Sequence, residues 1–587
     1  MNVWAKVKVN SPELYLSPKF QINSVAQTRT YFWTVTNETA ALDGFKKNVL
    51  VINSQFPGPL IEANVSFDTI VVTLTNLMSD SVSIHWHGVS IYQNGTPWMD
   101  GVTGVTQCPI PPGSSFTYTF TIKDQFGTFW YHAHTQGYST DGIAGPLIVH
   151  SVDDPLKRGV DYNQDVILFV NDWYHNMSAR ILEEALSPEG YMGSIAAPSP
   201  NSALINGIGY FDCKYADSTD TCTTLSEPLT LDLVAGQKAR IRLIGAGSHA
   251  MFRFSADGHT LNVTEADATG VAGPTAIHRV PFHNGERYSV IIDLANDSVG
   301  STFYLRAAMD TDCWAWLAPG MNESASTARA IVRAVNPSVS ALSTNVTTPT
   351  TSDWSDSVSG PCVDLDPGTL VPLVEKAACT NVLGRVFYQS SFGFLVKTVD
   401  NATTMEGRFF VNDTTWLTYT YKPLLSHMLV GGSGFLNSSE VASFTMPTAD
   451  GCYDIVINNL DPSLDHSYHL RKLGVGGKIV ARGSGTLDST TAASLTYNTG
   501  NPLRRDVSAA RVRVVANNPG LWILHCHIGK KHLGAGFAGM FVMQPSALRE
   551  LRLPIANAAL CAGATPSTIS TIEPGRRKRH VARRSSF

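Results

Sequence analysis

Of the 17 histidines in this 587-residue chain, nine crowd into four short stretches. They are His85 and His87 in "HWHG", His132 and His134 in "WYHAH", His466 and His469 in "DHSYHL", and His525, His527 and His532 around "HCHIGKKH". At this abundance well under one His-x-His triplet is expected by accident, whereas three occur, so the clusters read as metal ligands. In a β-strand residues i and i+2 share a face, so each His-x-His aims two imidazoles into one site. Two such pairs facing each other make a cage. In "HCHI" the intervening residue is Cys526, whose thiolate must leave on the side opposite His525 and His527, so one strand serves two metal sites. A thiolate with two imidazoles suits a trigonal copper centre, and many imidazoles without carboxylate suit copper over Mg, Ca or Mn. Zinc gives no reason to join a Cys site to a His-rich one. A redox metal does, because electrons then have a short path from Cys526 to both flanking histidines.

The elements that must position these ligands are strands. Runs such as "TIVVTLTN" (69–76), "SFTYTFTI" (115–122), "YSVIIDL" (288–294) and "YDIVINN" (453–459) alternate or run apolar between Gly, Pro, Asn and Asp turns. Helical periodicity is best at 176–188, closed by Pro188. The expected class is all-β, in three blocks at 28–152, 160–335 and 383–545, with a Ser/Thr/Pro-rich bridge before the third and a tail over 546–587. Charged residues are 16% and apolar ones 43%, too little charge and too much core for a disordered chain. A net charge of −5 gives no overall field toward nucleic acid, and the basic "RRKRHVARR" (576–584) reads as a solvated end. No window nears 18 consecutive apolar residues, so no membrane span is expected.

Nine cysteines leave at least one unpaired if the others bridge. Eleven Asn-x-Ser/Thr sequons, at Asn37, Asn64, Asn94, Asn176, Asn262, Asn296, Asn322, Asn345, Asn401, Asn412 and Asn437, exceed the roughly three or four expected by chance and point to a secreted glycoprotein of the extracellular space or cell wall. The first twenty residues lack the apolar core of a signal peptide, so a mis-set start is expected.

"NSQFPGPLIEANV", "HWHG", "TPWMDGVTGVTQCPIPPG", "WYHAH", "DWYH", "SALINGIG" and "HCHI" together, in that order from about 31 to 545, resemble multicopper oxidases, and fungal laccases within them. The resemblance implies three tandem cupredoxin-like Greek-key β-barrel domains and four coppers per chain. It implies a monomer taking electrons from a small aromatic reductant, a phenol, diphenol or aromatic amine, and passing them to O2. His466, Cys526 and His532 would hold the type 1 copper, and His85 and His469 the type 2 copper. His87, His132, His134, His525 and His527 would hold the type 3 pair, and Asp100 of "WMDG" matches the acid placed for proton delivery. Cys108 would pair with Cys561, and Cys213 with Cys222. With Cys526 as ligand, eight cysteines remain for four bridges.

The third domain departs from the family string His-Pro-x-His-Leu-His-Gly-His. Arg471 stands where a type 3 histidine belongs, and a guanidinium cannot ligate copper. The stretch before "ARGSG" is about two residues long, and 507–515 falls within a segment about six residues short. His532 follows Cys526 by six residues instead of five, so the loop must bulge. At the axial position Phe537 donates nothing, which favours a high potential. These departures suggest mis-set exon boundaries or a catalytically impaired copper-binding glycoprotein.

Two further readings are an ascorbate oxidase, to which "LINGIGYFDC" is similar, and a ferroxidase, disfavoured by Ala197 where a glutamate belongs. Asn201 stands where many laccases carry a proton-accepting carboxylate. Tyr210 and Phe211 read as packing, and His175, His249, His259 and His283 as structural.

Overall fold

The computed structural model describes residues 7–88, 96–225, 228–336, 346–356, 360, 362–399, 402–461, 466–470, 477–483, 486–488, 496–505 and 511–562. Arg471, most of the short segment after Arg505, and the basic end 563–587 lie outside them. So do the sequons at Asn94, Asn345 and Asn401.

The chain is all-β, and each third of it builds two packed sheets. In the first, a six-stranded sheet runs in the spatial order Lys8–Val9, Gln55–Phe56, Lys47–Ile52, Thr28–Ala40, Thr69–Asn76, Ser115–Thr121. It shares one core with a four-stranded sheet ordered Ile61–Asn64, Ala144–His150, Gly127–Ala133, Ile84–His87. The alternation read in "TIVVTLTN" becomes strict alternation of buried and half-buried residues, as one solvated face requires. The middle third pairs an eight-stranded with a five-stranded sheet around the cluster of Leu168, Phe252 and Val290. The last third pairs a five-stranded sheet with a four-stranded one ordered Ala442–Met446, Ala538–Met543, Gly520–Cys526, Tyr468–Leu470.

Two apolar clusters weld the thirds together. Val49, Val51 and Trp130 pack with Ile167, Phe169 and Trp173, joining the first to the second. Trp98, Val102 and Val105 pack with Leu521, Ile523 and Met540, joining the first to the third. The expected helix forms at Ser178–Leu186. Short helices at Gly529–Gly534, Pro545–Glu550 and Ile555–Ala562 were not foreseen, because six to eight residues carry too few turns for a periodic signal.

All four disulfides are present: Cys108–Cys561, Cys213–Cys222, Cys313–Cys362 and Cys379–Cys452. Cys526 is buried and takes no part in these four bridges. The first bridge spans 453 residues, tying the C-terminal helix back to the first domain. Asn64 is buried and its Nδ2 donates to the Gln21 carbonyl at 3.1 Å, so this sequon is closed to a sugar, while Asn296 is exposed.

A buried ionic knot joins the second domain, the bridge and the third domain. Arg505 Nε donates to Asp267 at 2.8 Å, its Nη1 to the Tyr288 hydroxyl at 2.9 Å and to Asp364 at 3.3 Å, and its Nη2 lies 2.7 Å from Glu286 Oε1. Asp267 also faces Arg287, Asp364 faces Arg482, and Glu286 Oε2 accepts from the His283 backbone. Burial raises the Glu286 carboxyl to about 8, assisted by Asp364 and Asp267 and opposed by Arg505 and His283. Folded protein therefore holds a proton that the unfolded chain releases near 4.5. Stability from this group is full below that value and drains as pH rises toward 8, by at most about 1.4 kcal/mol per pH unit. Glu286→Gln should flatten this part of the melting temperature against pH curve; an unchanged slope would refute the assignment.

Candidate metal centre

Four strands deliver the histidines to the seam between the first and third domains. Ile84–His87 and Gly127–Ala133 are antiparallel neighbours with His85 directly opposite His132. Tyr468–Leu470 and Gly520–Cys526 are likewise paired, with His469 opposite His525 and Tyr468 opposite Cys526. The two-residue period then does what the spacing predicts. His525 and His527 face the seam, and Cys526 turns into the core of the third domain. His527 is held just past its strand by its backbone N–H donating to the Ser467 carbonyl at 2.7 Å.

On the seam side two sets of three imidazoles have donor atoms within 4.8 Å of one another: His85, His87 and His469, and His87, His132 and His527. His134 completes the ring beside His525, with centroids 5.6 Å apart. His85, His132 and His525 each donate Nδ1–H to a backbone carbonyl, those of Asp100 (2.9 Å), Ala133 (3.0 Å) and Cys526 (2.9 Å). A carbonyl can only accept, so each ring presents Nε2 as its lone pair, the orientation that outer hydrogen bonds impose on metal-ligating histidines. Burial holds His87 well below the ordinary histidine range, and His469 and His527 add to the effect. A neutral imidazole is the ligating form.

On the other side His466, Cys526 and His532 form the third set. Cys526 Sγ lies 3.2 Å from His532 Nδ1 and 3.7 Å from His466 Nδ1, and it accepts from the Ile528 backbone N–H at 3.4 Å. The extra residue before His532 is absorbed by the helix Gly529–Gly534, where a bulged loop was expected. Phe537 sits 4.8 Å from the His466 ring and Phe409 4.2 Å from that of His532, closing the set with rings that offer no donor. His466 Nε2 donates to Asp461 at 3.2 Å. Thiolate, two Nδ1 atoms and an apolar wall fit the trigonal copper chemistry read from the sequence, and the buried imidazole cage fits a further copper cluster.

Every predicted ligand is thus at one of the two sides, all buried except half-buried His527. Asp100 is buried with its carboxylate 3.4 Å from His85 Nδ1. It is held there by Gly101, whose φ of +79° suits glycine and whose added Cβ would lie 1.6 Å from the Ile84 carbonyl. Gly101→Ala should cost at least about 2 kcal/mol and shift both Asp100 and the His85 strand. A lowered melting point with reduced copper retention checks this; unchanged values would contradict it.

The Asn201 amide hydrogen-bonds, its Oδ1 accepting from the His175 backbone N–H at 2.9 Å. His249 stacks on Trp314 with its Nδ1 2.9 Å from the Pro198 carbonyl, and it lines a cleft with His532, Ile528 and Ala197. Tyr210 lines a separate cavity in the second domain, while Phe211 packs against Phe45 and His175 as expected. His175 itself pairs with Asp43 at 2.9 Å, and His259 with Asp297 at 2.9 Å. Asp461 and Phe409 were missed, because a carboxylate five residues from a ligand and a phenylalanine from another strand leave no spacing signal.

Sequence profiles of the multicopper oxidase family match residues 34–154, 164–325 and 413–547. The chain is 40% identical over 561 residues to Laccase-1 of Cryptococcus neoformans, covering 94% of this chain and 86% of that protein. It is 32% identical to Laccase-4 of Trametes villosa, covering 86% and 88%. Its fold is similar to the crystal structure of the laccase from Botrytis aclada, with a TM-score of 0.76, 28% identity and 92% of each chain covered. The chain belongs to the multicopper oxidase family, as a laccase-like copper oxidoreductase acting with O2.

Proposed function

We propose that the chain couples four one-electron oxidations of small phenols, diphenols or aromatic amines to reduction of O2 to water. The observation that carries this is a buried cysteine with two histidines whose own chain neighbours, His525 and His527, belong to the imidazole cage. In this reading His466, Cys526 and His532 hold the type 1 copper, and His85 and His469 the type 2 copper. His87, His132 and His527 hold one type 3 copper, and His134 and His525 the other. Bound copper supplies single-electron acceptance at the cysteine side and oxygen reduction at the cage.

The protein's own part is positional. The cleft beside His532 offers the reductant its seat, and its apolar members Ile181, Leu182, Ala197 and Ile528 suit an aromatic ring. Asp100 sets its carboxylate 3.4 Å from His85 Nδ1, where it is placed to pass protons toward the cage. Secretion to the extracellular space or cell wall and a monomeric state go with this reading.

Turnover of a methoxyphenol, ascorbate and Fe(II), compared by oxygen uptake, tests it. The methoxyphenol should be fastest; preference for ascorbate or Fe(II) would move the assignment to an ascorbate oxidase or a ferroxidase. Arg471 favours a second reading, a copper protein short of one type 3 ligand, which predicts fewer than four coppers per chain and slow or no oxygen uptake.

A further inference from the structure

Two neighbouring clefts, which share lining residues, touch the two ligand sets. One touches His532 on the cysteine side. The other touches His132, His134, His525 and His527 on the cage side. Thr140 of the first domain and Ser248 of the second line both. Their hydroxyls meet at 2.5 Å across the domain junction, and either oxygen can be the donor. Buried carboxylates fix the surroundings: Asp172 accepts from the Ser248 backbone N–H at 2.7 Å, and Asp141, next to Thr140, accepts from the Ser178 backbone N–H at 2.9 Å and its hydroxyl at 2.5 Å. The backbones are thereby pinned, and the two hydroxyls are left to each other.

We propose that the Thr140–Ser248 pair is a proton relay that carries the proton released by a phenolic reductant from its cleft to the cage. This rests on the oxidase reading above. The balance closes without an outside reactant. Each phenol O–H breaks to give a phenoxyl radical, one electron and one proton. The electron leaves through Cys526. The proton is accepted on one hydroxyl oxygen while that group's own proton passes to the other, and from there into the cage-side cleft. Four donors thus supply the four electrons and four protons that turn one O2 into two waters. Neither hydroxyl needs to titrate, because each donates as it accepts. Thr140 and Ser248 are positioning residues for the proton, not ligands.

The test is donor-dependent oxygen uptake by the copper-loaded full chain. Guaiacol releases a proton on oxidation; ferrocyanide releases only an electron. Thr140→Val keeps shape without the hydroxyl, Ser248→Ala removes the partner, and Thr140→Ser keeps a hydroxyl. With guaiacol, Thr140→Val and Ser248→Ala should each lose about tenfold, below the usual span for a proton-transfer group because solvent offers a slower route. With ferrocyanide both should stay within about twofold of the parent, and Thr140→Ser should restore guaiacol turnover. The guaiacol solvent isotope effect should rise in the two impaired variants, with copper content and visible absorption unchanged. Equal losses with both donors would mean a domain clamp and overturn the relay, as would no loss with either. Absence of oxygen uptake by the unsubstituted chain with both donors would sink the oxidase reading, and the relay with it.

Discussion

Replacing Cys526 by serine should abolish the visible colour of the copper-loaded protein and cut phenol-driven oxygen uptake roughly 10³-fold or more, about 4 kcal/mol of lost transition-state stabilisation. Serine has nearly the shape of cysteine, so the pairing of Gly520–Cys526 with Tyr468–Leu470 should survive. The serine hydroxyl, buried where Sγ now lies between His466 and His532, would cost on the order of 1–3 kcal/mol of stability. The cage histidines lie on the other side of the strand and keep their donors, so the copper count should drop by about one while the rest remains. Copper titration with visible and magnetic-resonance spectra checks this. Retained colour would mean that the thiolate is not a ligand.

Arg471→His should raise the copper count by about one per chain and increase oxygen uptake, because a cationic guanidinium becomes a neutral donor two residues beyond His469. Position 471 follows His469 by two residues, the place where the resemblance to the multicopper oxidases implies a type 3 histidine. His134 and His525 would then gain the third imidazole that His87, His132 and His527 already make among themselves. Metal analysis of parent and variant prepared in parallel decides it. An unchanged count would show that the position is not a ligand site.

Much of this site was legible because metal ligation on strands has a short-range signature. His85 and His87 share a face by pleat alone, as do His525 and His527, and the odd cysteine announced itself by arithmetic. Where ligands come from separate turns, spacing says less. His532 was assigned by likeness, and only the structure shows that the helix Gly529–Gly534 takes up the extra residue. The groups around the ligands were not legible. Phe409 reaches His532 from a strand more than a hundred residues away in sequence, and Asp461 hydrogen-bonds His466. Thr140 and Ser248 meet only because the first two domains are packed together through Val49, Trp130, Phe169 and Trp173. Asn201 was legible as a hydrogen-bonding amide, and its partner, the His175 backbone N–H, was not.

The most direct test of the central claim is anaerobic reduction of the copper-loaded chain by a phenol, followed by admission of O2, watched in the visible. The account predicts an intense cysteinate-to-Cu(II) band that bleaches with the phenol and returns when O2 takes the electrons at the cage. A fully loaded protein that is colourless, or one whose band bleaches and does not return with O2, would contradict it.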